Sequence, residues 1–278
     1  MLINDLKYFK TSANYSNTTS GMDDPMDHPD KYNFSTEDWH AYPIQDFDYQ
    51  FNSWGFRGPE YTQYIGKPVN ICLGDSFTVN VGGPIEHSWC SKLAQHFNIP
   101  TLNLGMDGAG NDAIKLVYDR ACDLFDVQNT FVMYSFFHRR MGEDKLMKKD
   151  YFDLESNIRY FEENMIQNAL YTFIQPWAWS EEELEYLKDK HKNNLYNLLD
   201  NNSVSYTQLS KKMYNRFKGL EWVPYNEFTK GITNNAMHND KNFISMIKER
   251  CGHVNRDGFH FNQAANQIVA DFLWNQVK

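Results

Sequence analysis

The sequence predicts an α/β domain in which helices flank a central parallel sheet, and three observations lead there. Short apolar strands alternate with helical stripes from residue 69 onward. The first two strands end in glycine and run straight into polar segments, as strands do when they feed loops at one edge of a sheet. The 278 residues, 41 % of them apolar, are enough to bury the core that such a sandwich requires.

The elements follow in order. Residues 1–45 are polar and weakly periodic, and read as an extension wrapping over the domain. With the boundary after residue 65, residues 1–65 form the extension and residues 66–278 the domain proper. Asp48 to Phe51 reads as a short strand before a turn at Asn52-Ser53-Trp54-Gly55. Val69 to Leu73 is the first strand of the sheet, closed by Gly74. From Glu86 to Phe97, Trp89, Leu93 and Phe97 fall four apart, one apolar stripe of a helix. Thr101 to Leu104 is the second strand, closed by Gly105. Ile114, Val117, Ala121 and Leu124 give the next helix, over Asp112 to Phe125, and Thr130 to Tyr134 the third strand.

A helix over about residues 155–170 precedes a fourth strand, Tyr171 to Gln175. Ser180 with Glu183 makes a capping box for a polar helix running to about Leu199. Leu220 to Val223 is the candidate fifth strand. The closing helix spans about Gln263 to Val277, with Ile268, Phe272 and Trp274 directed inward.

Composition removes several classes of function. With 27 basic and 36 acidic side chains the net charge is −9, and no basic cluster offsets it, so a nucleic-acid partner is not expected. No segment approaches the roughly 18 apolar residues of a membrane span. Met1 to Asp5 reaches an acid at once, so no secretory leader is expected and the reading is a cytoplasmic or virion-associated protein. The four cysteines, Cys72, Cys90, Cys122 and Cys251, contain no CxxC pair and read as reduced thiols. His238, His253, His260, Asp240 and Asp257 match no ligand spacing, so no metal is expected; nor is any other cofactor. Gly105, Gly108 and Gly110 do not have the Gly-x-Gly-x-x-Gly spacing of a dinucleotide loop.

What remains is a constellation for acyl chemistry. A serine hydroxyl stays protonated at neutral pH, so it needs an imidazole to take its proton and a carboxylate to orient that imidazole. Ser76, directly after the first strand, His260 and Asp257 supply these types. The three-residue separation of Asp257 and His260 lets both face one side of a single turn. The Ser76 amide and an amide at Gly105 are candidate donors to an oxyanion, with Asn111 as a possible side-chain donor. His138, Arg139 and Trp177, at the ends of the third and fourth strands, are candidate substrate contacts.

Gly74-Asp75-Ser76, Gly105 and Asp257-Gly258-Phe259-His260 together resemble the ordered blocks of the SGNH (GDSL-type) hydrolase superfamily. Phe261 to Asn266 and the upstream Asn52 to Gly58 are similar to flanking segments of some members. The resemblance covers roughly residues 50–278. It implies a flavodoxin-like three-layer α/β/α sandwich with strand order 2-1-3-4-5, and a serine esterase acting on a small acyl ester, such as an O-acetyl group on a carbohydrate. It also leaves room for an acyltransferase on the same triad, or for a catalytically degenerate glycan-binding or structural protein of a virion or surface assembly. One block departs from the pattern. Where the superfamily carries Gly-x-Asn-Asp after the third strand, this chain has Ser135-Phe136-Phe137-His138. Loss of one oxyanion donor costs roughly 10²–10³ in rate. The spacing does not predict an α/β-hydrolase elbow, since Thr78 stands where that motif needs glycine.

Overall fold

The computed structural model describes residues 49–137, 139–141, 148–150, 154–166, 169–173, 260–261 and 263–277. Four parallel strands make the sheet: β1 (Pro68–Gly74), β2 (Thr101–Gly105), β3 (Asp126–Tyr134) and β6 (Leu170–Phe173). They lie in the order β2-β1-β3-β6, which is 2-1-3-4 for the four strands expected from the sequence. The candidate fifth strand, Leu220 to Val223, and the helix capped at Ser180 lie outside the described residues. β4 (Arg139–Met141) and β5 (Lys148–Asp150) form an antiparallel ladder that periodicity did not announce.

β1 is the centre of the sheet. Every residue after Pro68 is buried, as a parallel strand covered on both faces requires. Its partners are Asn70 to Gly74 against Thr101 to Gly105 on one side, and β3 on the other. The chain therefore runs outward from β1 to β2, then back past β1 to β3. Right-handed crossovers carry the connecting helices to opposite faces on those two steps.

The packing agrees. α2 (Trp89–Ala94) meets the closing helix α5 (Gln263–Val277), with Trp274 stacked on His96 at 4.8 Å. On the other face α3 (Asn111–Leu124) meets α4 (Leu154–Glu163), where the Tyr160 hydroxyl donates to Asp112 at 2.7 Å. Ile114, Val117 and Ala121 are buried as the α3 stripe predicts, and Leu124 packs at its margin.

Two expectations need correction. The helix predicted over Glu86 to Phe97 is a 3-10 turn, Ile85–His87, followed by α2, because the Ser88 hydroxyl accepts the Ser91 N–H at 3.0 Å and starts a new helix. In α5 the innermost side chains are Ala265, Val269, Ala270 and Leu273, whereas Ile268, Phe272 and Trp274 are partly buried at the flank. Ala265 and Ala270 let α5 approach the core closely, and Val269 and Leu273 fill the space beside them.

Residues 49–64 are built into the same core. Trp54, Phe56 and Tyr61 are buried against the sheet's apolar residues. The rest of the proposed extension lies outside the described residues, as does any boundary within it. Cys72, Cys90 and Cys122 are free thiols. Among the described residues no helix is long and apolar enough to cross a membrane, and no three His, Cys, Asp or Glu side chains cluster as a metal site.

Candidate active site

The candidate site lies at the carboxyl ends of β1 and β3, where the chain's path across the sheet reverses. There β1 passes into α1 (Ser76–Val79), a single turn of helix with Ser76 as its first residue. Asp75 is the N-cap, its carboxylate accepting the Phe77 N–H at 3.1 Å. The other carboxylate oxygen accepts the Ser135 hydroxyl at 2.7 Å and the Arg139 guanidinium at 3.3 Å. One fully buried acid thus ties the end of β1 to the end of β3 and to the start of β4.

A turn this short cannot hold itself, and its neighbours hold it. The Asn103 side-chain amide donates to Thr78 O at 2.8 Å. Arg57, 1 % exposed, donates to Val79 O at 3.1 Å and Asn80 O at 2.7 Å, placing a cation against the carbonyl end of the turn. Its guanidinium also lies 4.3 Å from the centre of the Tyr49 ring. Burial lowers the Arg57 pKa to about 10, still well above neutral pH.

Ser76 itself is 6 % exposed, and its hydroxyl has no hydrogen-bond partner among the described residues. The imidazole of His260 packs on Phe77, the residue that follows, with ring centroids 4.7 Å apart. The structure thus packs the expected base against the turn that carries Ser76, the two residues being 184 positions apart in sequence (260 − 76). His260 is buried at 9 % exposure. Asp257, His138 and Trp177 lie outside the described residues.

Two of the expected oxyanion donors are committed elsewhere. The Gly105 N–H donates to Asn103 Oδ1 at 3.0 Å. What glycine supplies at 105 is space: a Cβ there would come within 2.7 Å of Val79 N and 2.8 Å of Thr78 Cβ. Asn111 is spent in both directions, donating to Ser135 O at 3.1 Å and accepting the Ser135 N–H at 2.8 Å. It fastens the start of α3 to the end of β3. Arg139, an expected substrate contact, lies beside Asp75. It contacts Asp75 and the Ser135 hydroxyl, lies 4.7 Å from the Phe136 ring centre, and keeps 11 % of its side chain exposed.

Sequence reasoning passed over Arg57, Ser135 and Asn103 as parts of the site. The segment carrying Arg57 was noticed, but its partners lie 22 and 23 positions on, beyond the reach of local patterns.

The site's electrostatics give a test. Burial pushes the Asp75 carboxyl above its ordinary 3.8, opposed by Arg139, the Ser135 hydroxyl, the Phe77 N–H and His260. A carboxyl raised on folding binds its proton more tightly in the native state. Its contribution to stability is therefore complete below the unfolded value and is lost as pH rises through the raised folded value. Urea midpoints of the wild type and Asp75→Asn, measured upward from about pH 4, should show the wild type losing ground to the variant as pH rises. A wild type that gains ground instead would show that the ion pair with Arg139 outweighs desolvation.

No family model matches the sequence, and no curated protein matches it. Solved structures do align with the fold. A protein from Desulfitobacterium hafniense DCB-2, described as lipolytic and of the G-D-S-L family, aligns over 47 % of this chain and 79 % of its own, with 17 % identity and a TM-score of 0.31. A member of the lipolytic G-D-S-L family from Veillonella parvula DSM 2008 aligns over 76 % of this chain and 97 % of its own, with 10 % identity and a TM-score of 0.34. The fold is α/β with a parallel sheet.

Proposed function

We propose that the chain is a serine hydrolase of the SGNH type, cleaving a small acyl ester such as an O-acetyl group on a carbohydrate. The observation that carries this reading is the packing of the His260 ring against the turn that begins with Ser76, whose hydroxyl has no hydrogen-bond partner among the described residues. In the proposed reaction Ser76 Oγ attacks the acyl carbon while His260 takes the hydroxyl proton and Asp257 orients the ring. The tetrahedral oxyanion is met by the Ser76 N–H. Arg139, held beside Asp75, supplies positive charge to the same cleft. The acyl–oxygen bond breaks as His260 returns the proton to the leaving alkoxide, and water, deprotonated by His260, releases the acid from Ser76.

One observation favours a second reading, a glycan-binding protein on a degenerate hydrolase fold. The Gly105 amide and the Asn111 side chain are already hydrogen-bonded within the protein. The two readings separate cleanly with the full chain, a panel of short p-nitrophenyl esters and acetylated oligosaccharides, and a fluorophosphonate label located by peptide mass spectrometry. Turnover with label on Ser76 supports the hydrolase. Neither turnover nor label, with acetylated oligosaccharide still bound, supports the second reading.

A further inference from the structure

Resting on that hydrolase reading, we infer that the side-chain amides of Asn80 and Asn266 set the spacing between the Ser76 hydroxyl and the His260 imidazole. Asn80 is the C-cap of α1, in the left-handed conformation at φ 61°. Its Oδ1 accepts from Asn266 Nδ2 at 2.9 Å, and its own amide donates to Pro84 O at 2.6 Å. Asn266, on the first turn of α5, uses the same Nδ2 to reach Phe261 O at 3.0 Å, the carbonyl of the residue after His260. Its Oδ1 accepts the Trp89 N–H at the start of α2, at 3.2 Å.

One side chain therefore grips both the end of the serine turn and the backbone beside the histidine. Both amides are buried, at 1 % and 0 % exposure. A buried amide stripped of its partners pays its full desolvation cost, so the bridge holds one geometry in preference to a range of them. Phe77 completes the join by packing on both His260 and Phe261, at 4.7 and 4.8 Å between centroids. Asn80 and Asn266 are positioning residues: they act on the chemistry through the two segments they connect.

The test uses Asn266→Leu, which keeps the volume and removes the amide, Asn80→Gly, which keeps the left-handed turn and removes the partner, and the double variant. A misplacement of about 1 Å can cost on the order of 10²-fold in rate, so each single variant should lose about tenfold to a hundredfold in kcat with KM within about twofold. The double variant should be no worse than the poorer single one, because either change breaks the same bridge. In histidine-labelled protein, the His260 imidazole resonances should move in Asn266→Leu. Where that variant does not fold, Asn80→Gly carries the same reading. Losses in kcat that multiply in the double variant, a change confined to thermal stability, or unmoved His260 resonances would overturn the inference. If the wild type neither turns over an ester nor takes the label at Ser76, the hydrolase reading fails, and the bridge stands or falls on the His260 resonances alone.

Discussion

Ser76→Ala is expected to reduce ester turnover by at least about 10³-fold while leaving the fold intact. The expectation joins two properties that rarely coincide at a buried serine. The hydroxyl makes no hydrogen bond to a described residue, so removing it orphans no partner among them. The bonds that hold α1 come from Asp75, Asn103 and Arg57, and none of them touches the Ser76 side chain. A serine retained for structure would be capping, bridging or filling space; Ser88, whose hydroxyl accepts the Ser91 N–H, shows what that looks like here. Thermal melts and single-turnover assays on the wild type and Ser76→Ala decide the matter. An unchanged melt with turnover lost is the expected pair of results. Turnover that survives at more than about a tenth would move the nucleophile elsewhere.

The architecture was legible where burial is two-sided. Val69 to Leu73 is apolar apart from Asn70, and β1 is the strand that both faces bury. The sequence places the start of β3 at Thr130 because Asp126, Gln128 and Asn129 are polar and leave Val127 alone among them; these residues are exposed or half-buried at the amino edge, where pairing with β1 shifts register at Val69 and Asn70. Alternation can identify a strand's buried half, while backbone pairing continues past the core. The bounds of α5 are legible in the sequence and its inward face is not, for a different reason. Its apolar residues occupy more than one face, and size was taken as a guide to depth, whereas the deepest places go to Ala265, Val269, Ala270 and Leu273.

At the site, residue types were legible and their commitments were not. Ser76 and His260 could be paired from chemistry alone, and the fold brings their segments together. Gly105 and Asn111 carry donors that other groups consume. In one case the consumer is Asn103, only two positions away; in the other it is the backbone of Ser135, 24 positions away. The Asp75–Arg139 pair shows the same limit. Asp75 reads as part of a nucleophile block, yet what gives it a partner is a short ladder that begins one residue beyond His138.

Gly105→Ala is expected to lower stability by roughly 1–3 kcal/mol, and Gly74→Ala by more. The two glycines are register partners across β1 and β2, and α1 crosses directly over that pair. At 105 the added methyl meets backbone, Val79 N at 2.7 Å and Thr78 C at 2.9 Å, which no rotamer change can relieve. At 74 it meets the Thr78 hydroxyl and, at 2.7 Å, Met133 O, so β3 is pushed as well as α1. Because the Gly105 N–H already belongs to Asn103, alanine leaves the pattern of donors unaltered and acts only through space. Urea midpoints of both variants, set beside their kcat values, separate a spacer from an oxyanion donor. A spacer loses stability first, and activity in proportion as α1 is displaced. A Gly105→Ala protein that melted like the wild type but had lost its turnover would return Gly105 to the oxyanion role and make its bond to Asn103 a resting arrangement that substrate breaks.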